Sequence, residues 1–436
     1  MRTPIASSAV IGIAADDLTG ANDTLVQFAE AGWVSRLSLG GHALEPVSGP
    51  TAVAAVTDAR SLGAEAARTH TSDAVVRLIA DGTDRLYVKI DSTMRGSVAN
   101  QIGGALSAWT LRYPGSFAVV CPAYPAMGRT VEAGRLLVNG APVESSAAGR
   151  DPVTPVLTSR MQDLLQGSSS IDLSTIQPGR RTAELIAAAQ IGNGTVVVDA
   201  STDTNLEVLA EVLNDVGQRA VPVGSAGLAG ALARRWGASV GVSPRTATNT
   251  AAPSGRTLVV VSSLHDVARE QSNRLVSALP AVSLAALQPT MQDLTDVVSA
   301  AQWLEHTLNQ WGELPQALLL LSPVHSALGS SGARAGAEIA NRLAGLATAI
   351  MDRSTISHLV LVGGDGARAV LRACDATSIL VHGALREGVP QGVIRGGRAN
   401  GVSVVTKAGG FGHPESLVEI ISAVQTQTQL PTEARP

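Results

Sequence analysis

The stretch IGIAADDLTGANDTLVQFAEAG, Ile11 to Gly32, holds an apolar run, a turn with two adjacent carboxylates, and a helical pattern. Ala21, Leu25, Phe28 and Ala29 recur at helical spacing behind the turn, so the segment reads as strand, turn and amphipathic helix. The same order returns along the chain. RLYVKI runs into DSTMRGSVANQIGGALSAW, where Val98, Ile102, Ala105 and Trp109 form one stripe. TVVVDA, AVPVG, TLVVVSS, HLVLV and VSVVT each lead in the same way into a polar or Gly-rich turn and a helix. Strands alternating with helices imply βαβ units and mostly parallel sheets, and near-continuous Val/Leu/Ile runs fit strands buried on both faces. The distinctive residues fall just after the strands, at the edge where open α/β sheets bind ligands.

At 436 residues the chain is too long for one ordinary core. The stretch GASVGVSPRTATNTAAPSGR, Gly237 to Arg256, is rich in small and polar residues and lacks periodicity, so it reads as a linker. The expectation is two α/β domains, 1–236 and 257–425, joined by 237–256 and followed by a loose tail at 426–436, with a ligand cleft between the domains.

Composition narrows the function. Aromatic residues are 3% of the chain, against a base-stacking platform, and a net charge of −4 without a basic block argues against a nucleic-acid partner. Cys121 and Cys374 are the two cysteines, with no Cys/His cluster, so neither a zinc site nor a disulfide framework is indicated. Leu314 to Ala333 has few charges, but its prolines, serines and glycines make it a buried strand with flanking loops, not a membrane span. The apolar N-terminal run is short and ends in Asp16-Asp17, so no signal peptide is read and a cytoplasmic location is expected. No membrane partner is expected; a homo-oligomer stays open.

Asp16 and Asp17 invite a chemical reading. A carboxylate after a parallel strand can hold a hydroxyl, accept its proton, or hold a metal ion. Thr19 adds a hydroxyl at the helix start and Gly20 permits close approach to the backbone. The alternative is a helix cap, which accounts for one carboxylate but poorly for two. VKIDSTMRGS packs Lys89, Asp91, Ser92, Thr93 and Arg95 around a second strand end, closed by Gly96. Lys and Arg suit an anionic small molecule, and Asp, Ser and Thr suit its hydroxyls; a surface turn with an internal Asp–Arg pair fits the spacing equally well. CPAYPAMGRT presents Arg129 from a rigid loop, LLVNGAPV reads as a hairpin turning at Asn139-Gly140, and DPVTPV as a Pro-fixed loop.

The second half looks like phosphate chemistry. VLVGGDGARAV places Gly363, Gly364, Asp365 and Gly366 at a helix start, where free backbone N–H groups bind anions. KAGGFG, with Lys407, Gly409 and Gly410, is a second such turn, and Ser262-Ser263 a third. EGVPQG, Glu387 to Gly392, reads as a Pro-stiffened loop. Neither a Walker P-loop nor a dinucleotide GxGxxG is present. No ligand spacing or Ser/His/Asp order links the eight histidines.

In this order, AADDLTGANDT, KIDSTMRGS, CPAYPAMGRT, LLVNGAPV, DPVTPV, GSAGLAGALA, GGDGARAV, EGVP and KAGGFG resemble the four-carbon acid sugar kinases across nearly the whole chain. The resemblance implies an N-terminal domain for the sugar acid and a C-terminal domain for ATP. It implies phosphorylation of threonate, erythronate or a 3-oxo-tetronate at the terminal hydroxyl, with Mg²⁺ shielding the nucleotide phosphates. Asp16, Asp17, Thr19, Lys89, Asp91, Ser92, Arg95, Gly96 and Arg129 then stand on the sugar-acid side. Asp17, or else Asp16, would orient or deprotonate the hydroxyl; Arg95 and Lys89 would hold the carboxylate or face the transferred phosphoryl group. Ser263, Gly363, Gly364, Asp365, Gly366, Lys407, Gly409 and Gly410 fall on the nucleotide side. The family often has GGET where this chain has Gly363 to Gly366, KSGNFG or KSGGFG where it has Ala408, and Gly-Ser where it has Ser262-Ser263. The competing readings are a phosphatase, a kinase for another small hydroxy acid, and a non-catalytic sensor of sugar acid and nucleotide.

Overall fold

The computed structural model describes residues 9–40, 48–151, 153–243, 255–311, 313–323 and 332–429. The chain divides between Thr246 and Ala247 into two compact units. No described helix is long and apolar enough to cross a membrane.

The first unit runs β1 (Val10–Ala15), α1 (Leu18–Glu30), β2 (Val34–Ser38), β3 (Thr51–Val56), α2 (Ala64–Ala80), β4 (Arg85–Lys89), α3 (Val98–Arg112) and β5 (Phe117–Cys121). The short strands β6 (Arg129–Glu132), β7 (Arg135–Val138) and β8 (Ala141–Pro142) follow. It ends with α4 (Met161–Leu164), β9 (Ser169–Ile171), α5 (Arg181–Ile191), β10 (Thr195–Val198), α6 (Asp203–Val216), β11 (Ala220–Gly224) and α7 (Ala226–Ser239). Its main strands lie in the order β2-β3-β1-β4-β11-β5-β10-β9, all parallel.

The helix stripes read in the sequence point inward. Ala21, Leu25, Phe28 and Ala29 of α1 are buried, as are Val98, Ile102, Ala105 and Trp109 of α3. Phe28 meets Trp33 edge to face at 5.7 Å, and the Trp33 indole donates to the Ala233 carbonyl at 2.9 Å, which ties α1 to α7. Each such large apolar side chain contributes about 1.5–3 kcal/mol by leaving water. The small sheet β6-β7-β8 is antiparallel. Its turn at Asn139-Gly140 has positive φ at both residues, the mirror-image hairpin turn that Asn-Gly favours.

The second unit comprises β12 (Arg256–Val261), α8 (Asp266–Ala278), β13 (Leu284–Leu287), α9 (Val297–Leu308), β14 (Ala317–Leu321), α10 (Gly332–Arg353), β15 (Ile356–Val362) and α11 (Gly364–Ala373). It closes with β16 (Ser378–Arg386), β17 (Val389–Arg395), β18 (Ser403–Lys407) and α12 (Ser416–Gln429). Its strand order is β13-β14-β12-β15-β18-β17-β16. The first five are parallel and the last two join antiparallel. Val259, Leu319, Val360 and Val405 of its sheet pack with Leu417, Ile420 and Val424 of α12 in one apolar core.

Three readings change. EGVPQG is not a loop: Glu387-Gly388 is the turn of the β16–β17 hairpin and Val389 to Gly392 are strand. Pro390 is tolerated because pairing with β18 begins only at Gln391, so its missing N–H costs that ladder nothing. α7 continues through Gly237 to Ser239 and takes the first residues of the expected linker, of which 244–254 lie outside the described residues. α12 continues to Gln429, into the segment read as a loose tail; Thr426 there returns its hydroxyl to the Ser422 carbonyl, a bond a helix accommodates.

Candidate functional site

In the first unit the C-terminal ends of β3, β1 and β4 lie side by side, Ala15 being level with Val56 on one flank and Lys89 on the other. The chain leaves β1 for β2 and β3 on one side and for β4 on the other, the switch of direction that opens a crevice in such sheets. Asp16 follows β1 directly, with a fully buried side chain. Its carboxylate accepts from Arg60 Nε at 2.9 Å and Arg60 Nη2 at 3.0 Å, and Lys89 Nζ stands 3.9 Å away. Asp17 does two things at once. Oδ1 caps α1 by accepting from the Gly20 N–H at 2.7 Å, and Oδ2 lies 2.7 Å from Arg60 Nη1.

Arg60 stands in a single 3-10 turn, Ala59–Ser61, behind β3. Its guanidinium also approaches Asp91 Oδ1 at 3.7 Å. Asp91, just beyond β4, accepts from Arg95 Nε and Nη2, both at 2.9 Å, and from the Thr93 hydroxyl. Arg95 Nη1 then reaches Asp151 at 3.0 Å. Gly96 closes this turn at φ +88°; a Cβ there would come within 3.0 Å of the Arg60 backbone, so the glycine lets the two turns touch.

Burial raises the pKa of Asp16, which Arg60 and Lys89 only partly offset. Burial acts on Asp91 in the same direction, but Arg60 and Arg95 outweigh it and hold that carboxyl well below the usual range. Arg60 keeps its proton more firmly than a free guanidinium, because Asp16, Asp17 and Asp91 outweigh its own burial.

The structure therefore brings Asp16, Asp17, Lys89, Asp91, Arg95 and Gly96 together. Thr19 and Ser92 stand half-buried on the same two turns, and their hydroxyls make no hydrogen bond among the described residues. Arg129 stays out of the cluster: it donates to the Met127 carbonyl, and its buried Nε has no partner among the described residues. Sequence reading missed Arg60, although TDARS follows the apolar run TAVAAV as DDLTG follows VIGIAA. It also missed Asp151, read as part of a Pro-fixed loop.

In the second unit the turns after β12, β15 and β18 meet. Ser262 and Ser263 donate their N–H groups to the Val362 carbonyl, and Gly363 donates to the Lys407 carbonyl at 3.0 Å. Gly363 enters α11 at φ +106°, a conformation that favours glycine. A Cβ on Gly366 would overlap the Ser262 hydroxyl, and one on Gly409 the Ser263 hydroxyl. Gly410 lies against His265. Gly364 and Asp365 are exposed on the first turn of α11. Lys407 is buried, donates to the Ala408 carbonyl at 2.9 Å, and has its ammonium pushed down by burial to about 8. The described residues contain no cluster of three or more His, Cys, Asp or Glu side chains able to hold a metal ion.

Residues 11–232 match the family described as a sugar-binding N-terminal domain, and residues 258–417 the one described as a nucleotide-binding C-terminal domain. A D-threonate kinase of Bordetella bronchiseptica is 39% identical over 425 residues, covering 95% of this chain and 97% of that one. The chain belongs to the four-carbon acid sugar kinase family. A 3-oxo-tetronate kinase of Methylobacterium radiotolerans is 29% identical over 93% of this chain and 97% of its own length. A D-erythronate kinase of Heliobacterium modesticaldum is 27% identical, covering 95% of this chain and 97% of that one. A solved structure from Salmonella typhimurium LT2, 24% identical, shares the fold at a TM-score of 0.77, covering 94% of this chain and 98% of that one.

Proposed function

We propose that this protein is an ATP-dependent kinase that phosphorylates the terminal hydroxyl of a four-carbon sugar acid, with D-threonate the first acid to try. The convergence of Asp16, Asp17, Arg60, Lys89, Asp91 and Arg95 at one switch of strand direction carries the reading. Such a site offers carboxylates to hydroxyls and ammonium and guanidinium N–H groups to a carboxylate. Lys89 Nζ has one carbonyl partner, Ile90 at 2.8 Å, so N–H donors remain for a ligand. Arg95, whose fork is held by Asp91 and Asp151, is fixed in place for the same carboxylate or for the transferred phosphoryl group. Asp17, backed by Asp16, orients the attacking hydroxyl. The turns bearing Ser263, Gly363, Gly364, Gly366, Gly409 and Gly410, with Lys407 beside them, suit the phosphates of ATP.

Mg²⁺ would be carried by the nucleotide and would shield its phosphate charge; no cluster of three or more His, Cys, Asp or Glu side chains able to hold a metal ion occurs among the described residues. Free, buried thiols at Cys121 and Cys374 suit the cytoplasm.

The test is ADP release from Mg-ATP with D- and L-threonate, D- and L-erythronate and the 3-oxo acids. One acid giving stoichiometric ADP and a phosphorylated product is the expected result. No acid-dependent ADP with any of them, while ATP still binds, would overturn the reading.

A further inference from the structure

The aspartate cluster holds more carboxylates than cations. Asp16, Asp17, Asp23, Asp91 and Asp151 face Arg60, Lys89 and Arg95. Four of the five have both oxygens engaged. Both oxygens of Asp16 accept from Arg60. Asp17 divides its oxygens between the Gly20 N–H and Arg60. Asp91 is gripped by Arg95 and Thr93. Asp151 accepts from Arg95 and from the N–H groups of Val153 and Thr154. A lone pair already engaged by a cation is a poor proton acceptor.

Asp23 is different. It lies on α1 one turn beyond Gly20, the residue whose missing side chain makes room for Lys89 Nζ. Residues three apart on a helix are neighbours on its surface, and among the surrounding charges Lys89 acts most strongly on the Asp23 carboxylate. Among the described residues it accepts no hydrogen bond and forms no ion pair within 4 Å. It is half-buried.

We propose that Asp23 is the general base of the transfer, with Asp17 orienting the hydroxyl that Asp23 deprotonates. The inference rests on the kinase reading above. The hydroxyl oxygen forms its bond to the γ-phosphorus, the bond from that phosphorus to the β–γ bridging oxygen breaks, and ADP leaves with the electron pair. The hydroxyl proton passes to the Asp23 carboxylate and from there to water. Burial pushes Asp23 up to about 6, against the pull of Lys89 and Arg60 and with help from Asp17. That leaves it ionised at neutral pH and more basic than an ordinary carboxylate, as a base for this step should be.

The experiment compares pH–rate profiles of the full chain and of Asp23→Asn and Asp23→Glu between pH 5 and 9, with the acid that the wild type turns over. The wild type is expected to lose kcat/KM below about pH 6. Asp23→Asn is expected to lose at least 100-fold in kcat, to keep its KM for the acid within about threefold, and to lose the acid limb. Asp23→Glu should restore part of kcat together with the limb. Thermal melting checks that both variants are folded. A folded Asp23→Asn with near-normal kcat, or with reduced kcat and an unchanged acid limb, overturns the assignment while leaving the kinase reading standing. A wild type inactive on every four-carbon acid overturns both.

Discussion

Arg60→Met should destabilise the first unit in a way that pH can reverse. The substitution keeps much of the side-chain stem and removes the guanidinium. Asp16 then loses both of its short partners and keeps only Lys89 Nζ at 3.9 Å, with its own side chain wholly out of water. Removing one partner of a buried ion pair costs about 3–5 kcal/mol. The remaining Lys89 places the expected loss near the low end, about 3 kcal/mol, or roughly two powers of ten in the unfolding equilibrium. Burial already raises Asp16, and losing Arg60 removes its largest counterweight. The folded variant therefore binds a proton at Asp16 at higher pH than the unfolded chain does. Its deficit relative to wild type is full where Asp16 is charged and shrinks as pH falls through the raised value. Urea unfolding at pH 8 and pH 5.5, followed by the fluorescence of the buried Trp33, Trp109 and Trp236, reads this. Adding Asp16→Asn should recover most of the loss at pH 8. A loss under about 1 kcal/mol at pH 8, or an equal loss at both pH values, would refute the reasoning.

The other expectations concern activity. Asp17→Asn keeps an oxygen that can cap α1 but gives up the charge facing Arg60, so the protein should fold while kcat falls about 100-fold or more; near-normal turnover in a steady-state assay would remove Asp17 from the orienting role. Arg95→Ala should raise the KM for the acid about 10- to 100-fold, as expected for loss of a charged hydrogen bond, and an unchanged KM would exclude carboxylate binding by Arg95. Lys407, pushed down to about 8, should make the KM for ATP climb as pH rises past that value, because the neutral amine no longer attracts phosphate. Lys407→Met should show a high KM that does not vary through this range; a wild-type KM flat from pH 7 to 9.5 would argue against phosphate contact.

Much of the architecture is legible in the sequence because the strands are parallel and covered on both faces. Val10–Ala15 and Ile356–Val362 read as apolar runs, and the stripe Ala21, Leu25, Phe28 and Ala29 marks the inward side of its helix. Asn139-Gly140 announces its own turn. The cluster was harder to see, and for a specific reason. Asp16 and Asp17 share one turn, and Asp91 and Arg95 another, so local spacing exposes them. Arg60 joins them only because β3 lies beside β1, and Asp151 only because a distant loop returns to Arg95. Strand order is a long-range property that no window of ten residues contains. Asp23 was hidden by the opposite effect: it sits among residues whose helical rhythm already accounted for the segment. Arg129, presented by its rigid loop, donates to the Met127 carbonyl of that same loop.

The overlap between the Ser262 hydroxyl and the space above Gly366 has a historical consequence. The two positions lie more than a hundred residues apart in sequence, yet they compete for one small volume. A lineage carrying Ser262 has no route to a side chain at position 366 by a single step, since the new Cβ would have to displace a hydroxyl bonded to the Val362 carbonyl. The passable order is Ser262→Gly first and a larger residue at 366 second. Chimeras that bring a larger residue to position 366 while keeping Ser262 should accordingly be the ones that fail, and those that carry glycine at 262 beside Gly366 should fold.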